Sequence, residues 1–437
     1  RRAAELGIDV IVTDHHLPEA ELPPALAVLN PNQPGCHYPE KNLCGVGVAF
    51  KLAQGLLQTL DWPADKLRRI LASFLKLVAI GTVADVVPLT GENRIIVKHG
   101  LAGLCVVKNP GLRALLEVAG LSEGGAPSAG QVAFQVAPRI NAAGRMATAN
   151  DVIELLTTAD GNRARVLAVQ LNKLNVERRA AELKIVDLIL EECTRMPVTE
   201  ADAALVFAGV SWHRGVLGIV ASRLVEIFHR PTFVLGHSEG DGVAQGSGRS
   251  IPTFHLLDAL EKMPEMFTKF GGHFHAAGLT MPSERVDEFR QKLNAYAVTR
   301  LTAADFIPTL LIDAAITLDE ITEQAAIEAI SLQPFGAGNP RPLLVARGVE
   351  ICGQPVWMKE KHVRFPVRQR GRTIQLKAWN FVDRAAELAP GALIDVVFEL
   401  DEDAYSLARG YAGWSATVRD LTVAARDPIQ LLPNRQT

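Results

Sequence analysis

Apolar runs and helically spaced apolar positions alternate along the first third of the chain. Arg2–Leu6 reads as the end of a helix. Ile8–Thr13 reads as a strand, with Val10-Ile11-Val12 as a buried run. Gly47–Leu60 and Leu67–Ile80 carry helical spacing, the second ending near Gly81. This rhythm predicts a doubly wound α/β domain over residues 1–160. From Asn162 to Met196 there is neither Pro nor Gly, and Val166, Val169, Leu174, Leu183, Val186, Ile189 and Leu190 recur at helical spacing. The expectation is one connecting helix (161–197), roughly 50 Å long at 1.5 Å per residue and stopped by Pro197. A second α/β unit follows over 198–300. Its strands are Ala204–Ala208, Thr232–Leu235, Gly242–Ser250 and Ala277–Met281, and its helices are Val216–Phe228 and Ser283–Tyr296, with Ser283 as N-cap. Residues 301–341 connect, ending in the turn-dense Pro334-Phe335-Gly336-Ala337-Gly338-Asn339-Pro340. Over 342–437 the pattern is β-rich: Leu343–Ala346, Val363–Val367, Thr373–Trp379, Ile394–Leu400 and Ser415–Leu421 suggest a small barrel of the OB kind.

Composition narrows this little. The 437 residues are 48% hydrophobic and 21% charged, with net charge −3, so contact with nucleic acid must come from local patches. Five scattered cysteines without a CxxC pair point to a reducing, cytoplasmic setting. No apolar run reaches membrane-spanning length. The chain opens on Arg1, so the expectation is that something precedes it.

Six clusters carry candidate chemistry. Thr13-Asp14-His15-His16 places an acid and two imidazoles at a strand end, where α/β folds collect ligands; these side chains suit Mg, Mn or Zn. Asp85, in Gly81–Leu89, is a lone acid after an apolar helix. A carboxylate buried there needs a partner, either a metal or a cap and salt bridge. Arg139-Ile140-Asn141-Ala142-Ala143-Gly144-Arg145-Met146 sets two arginines around small residues. Gly246-Ser247-Gly248-Arg249-Ser250 and Gly271–Gly278, with His273 and His275, read as loops that cradle an anion, or else as tight turns. Trp212-His213-Arg214-Gly215 adds a helix N-terminus.

In this order the clusters resemble the DHH phosphoesterase superfamily, most closely the RecJ-type single-stranded-DNA exonucleases. Gly271–Gly278 looks like the GGHxxAAG signature of the accessory DHHA1 domain, Ser211–Ala221 matches a further motif, and the tail from about Pro342 resembles the OB domain of these nucleases. The implied fold class is two α/β domains (DHH, truncated at its N-terminus, and DHHA1) joined by a long helix, plus a C-terminal OB-like β-barrel.

The resemblance implies that His15 and Asp85 ligate a two-metal centre holding Mn²⁺ or Mg²⁺. Asp14 would orient His15, and His16 would meet the scissile phosphate. Arg145, Ser247 and Arg249 would form the pocket for a 5′-terminal phosphate, with Arg139, Asn141, His213 and His273 also toward substrate. The implied activity is stepwise 5′→3′ hydrolysis of single-stranded DNA, with repair proteins such as a helicase or a single-strand-binding protein as partners. The family's centre also takes carboxylates from earlier motifs that this chain does not contain, so the expectation is little nuclease activity from residues 1–437 alone.

In the tail, Arg347, Lys359, Lys361, Arg364, Arg368, Arg370, Arg372 and Lys377 outnumber Glu350 and Glu360, with Trp357, Phe365 and Trp379 interleaved. That is the make-up of a single-strand groove, with Trp357, Lys361, Arg364 and Arg370 as its contacts, or of a solvated hairpin over ordinary core aromatics. Three rival functions are a DHH phosphodiesterase for short oligonucleotides or cyclic dinucleotides, a non-catalytic single-strand-binding module, and a zinc site at Cys36, His37 and Cys44, whose spacing fits no standard module.

Overall fold

The computed structural model describes residues 1–423 except 20, 123–124, 239, 241 and 408–411; the tail segment beyond 423 lies outside the described residues. The chain divides into two compact units, Arg1–Val106 with Gly125–Phe134 and Leu310–Thr437, and Val107–Gly124 with Gln135–Thr309. Among the described residues no helix is long and apolar enough to cross a membrane, and all five cysteines are free.

The first unit begins with β1 (Ile11–Thr13) paired in parallel to β2 (Ala27–Leu29). β1 is not the buried strand expected. Ile11 is 52% exposed, because among the described residues the sheet has two strands only. The chain up to 106 then turns helical, with helices Gly45–Gln58, Ala64–Ala84 and Gly91–Gly103; no doubly wound alternation is found there among the described residues. The second of these helices does not stop near Gly81 but runs to Ala84. Gly81 is a contact glycine, since a Cβ on it would overlap Val46 of the first helix. The Thr82 hydroxyl donates to the Val78 carbonyl within the same helix.

The second unit holds helices Pro110–Val118, Ala137–Met146 and Asn150–Thr157 and the long helix Gly161–Arg195. Asp160 caps that helix by accepting from the Asn162 amide. Its sheet has β3 (Leu205–Val210) parallel to β4 (Thr232–His237), joined through helix Arg214–Phe228. β5 (Val243–Arg249), β6 (Lys269–Gly272) and β7 (Ala276–Pro282) extend it antiparallel in the order β3–β4–β5–β7–β6. One face packs Val216, Leu217, Val220 and Leu224 against Ile185, Val186 and Ile189 of the long helix. The other packs Phe233, Phe254, Met281 and Phe289. Ser283 is not an N-cap: it opens a 3₁₀ turn, Ser283–Arg285, and gives its amide to Gly242, while the α-helix is Val286–Val298.

The C-terminal part of the first unit contains β8 (Ala314–Ala315), β9 (Leu344–Ile351), β10 (Val356–Met358), β11 (His362–Gln369), β12 (Arg372–Ala378), β13 (Leu393–Glu402) and β14 (Trp414–Val423). Pairings run β9–β11–β12–β14–β13 and back to β9, closing five strands into a ring, as in OB folds. Alternation on β11 sends Val363, Phe365 and Val367 inward and Arg364 and Arg368 outward.

Candidate metal cluster and basic cavity

The tetrad leaves β1 as a tight turn built by Asp14. Its Oδ1 accepts from the His15 amide at 2.7 Å and the His16 amide at 3.2 Å, and lies 2.7 Å from His16 Nδ1. The carboxylate therefore orients the His16 imidazole, not that of His15, because a short acid bonds the backbone one and two residues ahead. Burial opposes its ionisation, but these bonds prevail and hold Asp14 below the ordinary aspartate range.

Two further residues fix the turn. Asn30 donates to the His16 carbonyl and Asn32 to the His15 carbonyl, each at 2.8 Å, while Asn30 accepts from the Asn32 amide. Asn30 is buried. The Asn-Pro-Asn after an apolar run was the available sign of this bracket.

Asp85 stands at the C-terminus of helix Ala64–Ala84 with Oδ2 3.4 Å from His15 Nε2. The side chains are 42% and 19% exposed, respectively, so Asp85 is an accessible carboxylate, not the buried acid expected. Donor atoms of Asp14, His15 and His16 lie within 4.8 Å of one another. Among the described residues no other three His, Cys, Asp or Glu gather in this way. Cys36, His37 and Cys44 do not converge; Cys44 is buried, its Sγ 3.4 Å from Thr82 Oγ1. Imidazole and carboxylate donors without thiolate suit Mn²⁺ or Mg²⁺.

In the second unit a cavity of about 850 Å³ opens on the sheet. Gly144–Ala147, His213–Gly215, Gln245–Ser247, Lys269–Gly271 and Gly278–Thr280 line it. The glycine-rich segment 246–250 is not a loop. It is largely β5, its backbone paired to β4 on one side and β7 on the other, so its amides are spent on the sheet. Gln245, Ser247 and Arg249 share one face, opposite the buried Ala244, Gly246 and Gly248. A Cβ at Gly246 would sit 2.7 Å from Leu235 Cγ, and one at Gly248 would overlap Phe233. Gly271–Gly278 is a hairpin of β6 and β7, with exposed His273 in its turn accepting at Nδ1 from the His275 amide.

Arg145 donates to the Gly215 carbonyl at 3.1 Å, and His213 caps helix Arg214–Phe228 by accepting from the Gly215 amide. Arg249 lies beneath that helix: a Cβ on Gly218 would meet its Nη2 at 2.8 Å. Burial first, then Arg145, pulls the Arg249 guanidinium below its ordinary value. Arg139 is committed to the protein, donating to the Val118 and Gln135 carbonyls and to Asn172. Asn141 is exposed on the same helix. Arg214, from the helix N-terminus singled out in the sequence, also faces the cavity, as do Lys269 and Gln245, which were missed there.

On and beside the strand ring, Trp357 (β10), Lys361 just before β11 and Arg364 on β11 are exposed, and Arg370 takes φ 49° in the β11–β12 turn. Trp379 is exposed against His362, 4.8 Å between their centroids. Phe365 is fully buried and cannot stack on a base. Arg368 is paired with Glu350 and Lys377 with Asp403.

Sequence-family models match in chain order: the DHH family N-terminal domain over 1–82, the DHHA1 domain over 202–299 and the RecJ OB domain over 312–410. The Bacillus subtilis single-stranded-DNA-specific exonuclease RecJ is 40% identical over 399 residues, 91% of this chain and 49% of that protein. Thus the chain spans about half the length of that relative. The structure of RecJ in complex with Mn²⁺ from Thermus thermophilus superposes with a TM-score of 0.81 at 32% identity, covering 99% of this chain and 60% of that one. A manganese-bound exonuclease RecJ gives 0.56 at 35% identity, covering 70% of this chain and 74% of that one.

Proposed function

Because the chain belongs to the RecJ family of single-stranded-DNA-specific exonucleases, we propose that it serves metal-dependent hydrolysis of single-stranded DNA from a 5′-phosphorylated end, releasing 5′-mononucleotides. The observation that carries this reading is the approach of His15 Nε2 to Asp85 Oδ2, which brings a strand-end motif to a distant helix end. His15 and Asp85 would hold Mn²⁺ or Mg²⁺; such an ion, when bound, supplies Lewis-acid stabilisation of charge at the scissile phosphate. Asp14 keeps the His16 imidazole oriented, leaving its other nitrogen for the phosphate. Asn30 and Asn32 hold the turn so that both imidazoles keep their direction.

The cavity residues Arg145, His213 and Ser247, joined by Arg214 and Lys269, would take the 5′-terminal phosphate together with Arg249 beneath the adjoining helix, since converging cations favour a compact dianion. Arg139 supports that helix from within. Trp357, Lys361, Arg364 and Arg370 would contact the strand on the ring. The five-part domain division, a cytoplasmic setting and repair partners such as a helicase or a single-strand-binding protein belong to the same proposal.

The test supplies 5′-phosphorylated single-stranded DNA and duplex with Mn²⁺. Release of mononucleotides from the 5′ end of the single strand is expected, reduced more than ~100-fold by Asp85→Asn, since loss even of a ligand's supporting partner costs 10–100-fold. Equal digestion of duplex, or digestion from the 3′ end, would sink the reading; preference for di- or trinucleotides would favour the short-substrate phosphodiesterase. For residues 1–437 alone, the proposal is weak Mn²⁺ binding and slow turnover, because among the described residues one three-donor cluster gathers. Fast hydrolysis by this chain would overturn that part.

A further inference from the structure

The turn-dense segment Pro334–Pro340 has no part in the reading above, yet it lies against the stretch that follows Asp85. Leu89, itself buried, donates its amide to the Ala337 carbonyl at 2.6 Å. The turn closes on itself through Gly336 and Asn339, whose amides donate to each other's carbonyls at 2.9 and 3.1 Å. The Asn339 side chain donates to the Pro334 and Leu332 carbonyls at 2.8 and 3.2 Å, and Arg94 donates to the Leu332 carbonyl at 2.6 Å. Both glycines are required by close approach. A Cβ on Gly336 would stand 2.7 Å from Leu89 Cδ1, and one on Gly338, at φ +67°, 2.9 Å from Pro88 Cβ.

Val86, between Asp85 and this contact, has φ 58°, a left-handed conformation that strains a β-branched residue. The residue is 71% exposed, so its own packing does not hold it there. Such strain persists where the surroundings over-determine the backbone. Upstream, the amides of Asp85 and Val86 remain bonded to the helix end at Gly81 and Val83. Downstream, Asn93 donates to the Pro88 carbonyl at 3.1 Å and Ala337 accepts from Leu89.

We infer that the Gly336–Asn339 turn is a clamp that fixes the Asp85–Thr90 segment and so aims the Asp85 carboxylate at His15. Gly336, Gly338 and Asn339 are positioning residues for the metal cluster. The inference rests on the reading of His15 and Asp85 as ligands.

The test titrates Mn²⁺ into the 437-residue chain, followed by electron paramagnetic resonance, with amide hydrogen exchange read at Leu89 and across β9–β14. Gly338→Ala is expected to weaken Mn²⁺ binding roughly 10- to 100-fold and to expose the Leu89 amide, while the strand ring stays protected. Adding Val86→Gly should recover part of the affinity, because glycine takes the left-handed conformation without strain; a purely structural defect gains nothing from that change. If Gly338→Ala also loses ring protection, Asn339→Ala, which removes only side-chain donors, carries the same measurement. Wild-type Mn²⁺ affinity in the clamp variants, with loss in Asp85→Asn, overturns the clamp. Wild-type affinity in Asp85→Asn overturns the ligand reading beneath it.

Discussion

Two basic surfaces of this chain are proposed to meet the same strand, one on the β5–β7 sheet and one on the β9–β14 ring. On the sheet, Gly246 and Gly248 keep one face flat against Leu235 and Phe233, which leaves Gln245, Ser247 and Arg249 on the other. Arg249 is driven below its ordinary value by burial and by Arg145, so two guanidiniums are held close at a cost that a dianion would relieve. On the ring, Arg368 is neutralised by Glu350 and Lys377 by Asp403. Lys361 and Arg364 form no ion pair among the described residues. A cavity of converging cations would select a terminal phosphate; a face of solvated cations and exposed indoles would grip any single strand.

The comparison can be broken in three places first. Phe365→Ala should cost the ring about 3–5 kcal/mol in denaturant unfolding, without a separate loss in binding by the molecules that remain folded. If folded Phe365→Ala protein loses DNA affinity as Trp357→Ala does, Phe365 reaches the strand after all. Arg249→Gln should reduce discrimination between 5′-phosphate and 5′-hydroxyl ends about 10- to 100-fold, the worth of a charge-assisted hydrogen bond; equal loss for both ends would make the cavity a non-selective cationic surface. Trp357→Ala should lower single-strand affinity by about 1–3 kcal/mol, with no preference for the end group. An effect confined to phosphorylated ends would erase the distinction between the two surfaces.

How far these features were readable in the sequence depends on how local their causes are. The long helix was, because nothing between Asn162 and Met196 interrupts it. The ring strands were, because alternation on β11 and β12 is strict enough to set their faces. Gly242–Ser250 was read correctly as a strand, but the cradle reading of 246–250 was not, because glycines that serve sheet packing look like loop glycines until Phe233 and Leu235 are seen opposite them. Gly81 was misread for the same reason, with Val46 as the hidden partner. Asp85 could be singled out as an isolated acid, but its exposure and its distance to His15 depend on how the end of helix Ala64–Ala84 meets the turn after β1, which no local pattern encodes. Asn30 and Asn32, and the contact of Pro334–Pro340 with Leu89, join segments far apart in the chain, so their residue types could be noticed but not their partners.

The smallest effect concerns how the ring holds its own charges. Burial would raise the Asp403 carboxyl, but the Lys377 ammonium at 2.7 Å and the Ser406 amide outweigh it and bring it below the ordinary range. A carboxyl depressed in the folded state stabilises fully above its unfolded value, here near 3.8. That contribution is lost as pH falls from there through the lower folded value. The pair is largely shielded but touches solvent, so the gain should stay below about 1 kcal/mol. Denaturant unfolding of the ring between pH 5 and pH 2 should therefore show an acid limb that Lys377→Met makes shallower. The variant should leave the preference for phosphorylated ends unchanged, because Lys377 lies on the ring and not among the residues lining the cavity. An acid limb of unchanged steepness in Lys377→Met would mean that the ring, like the cavity, does not depend on this lateral pair.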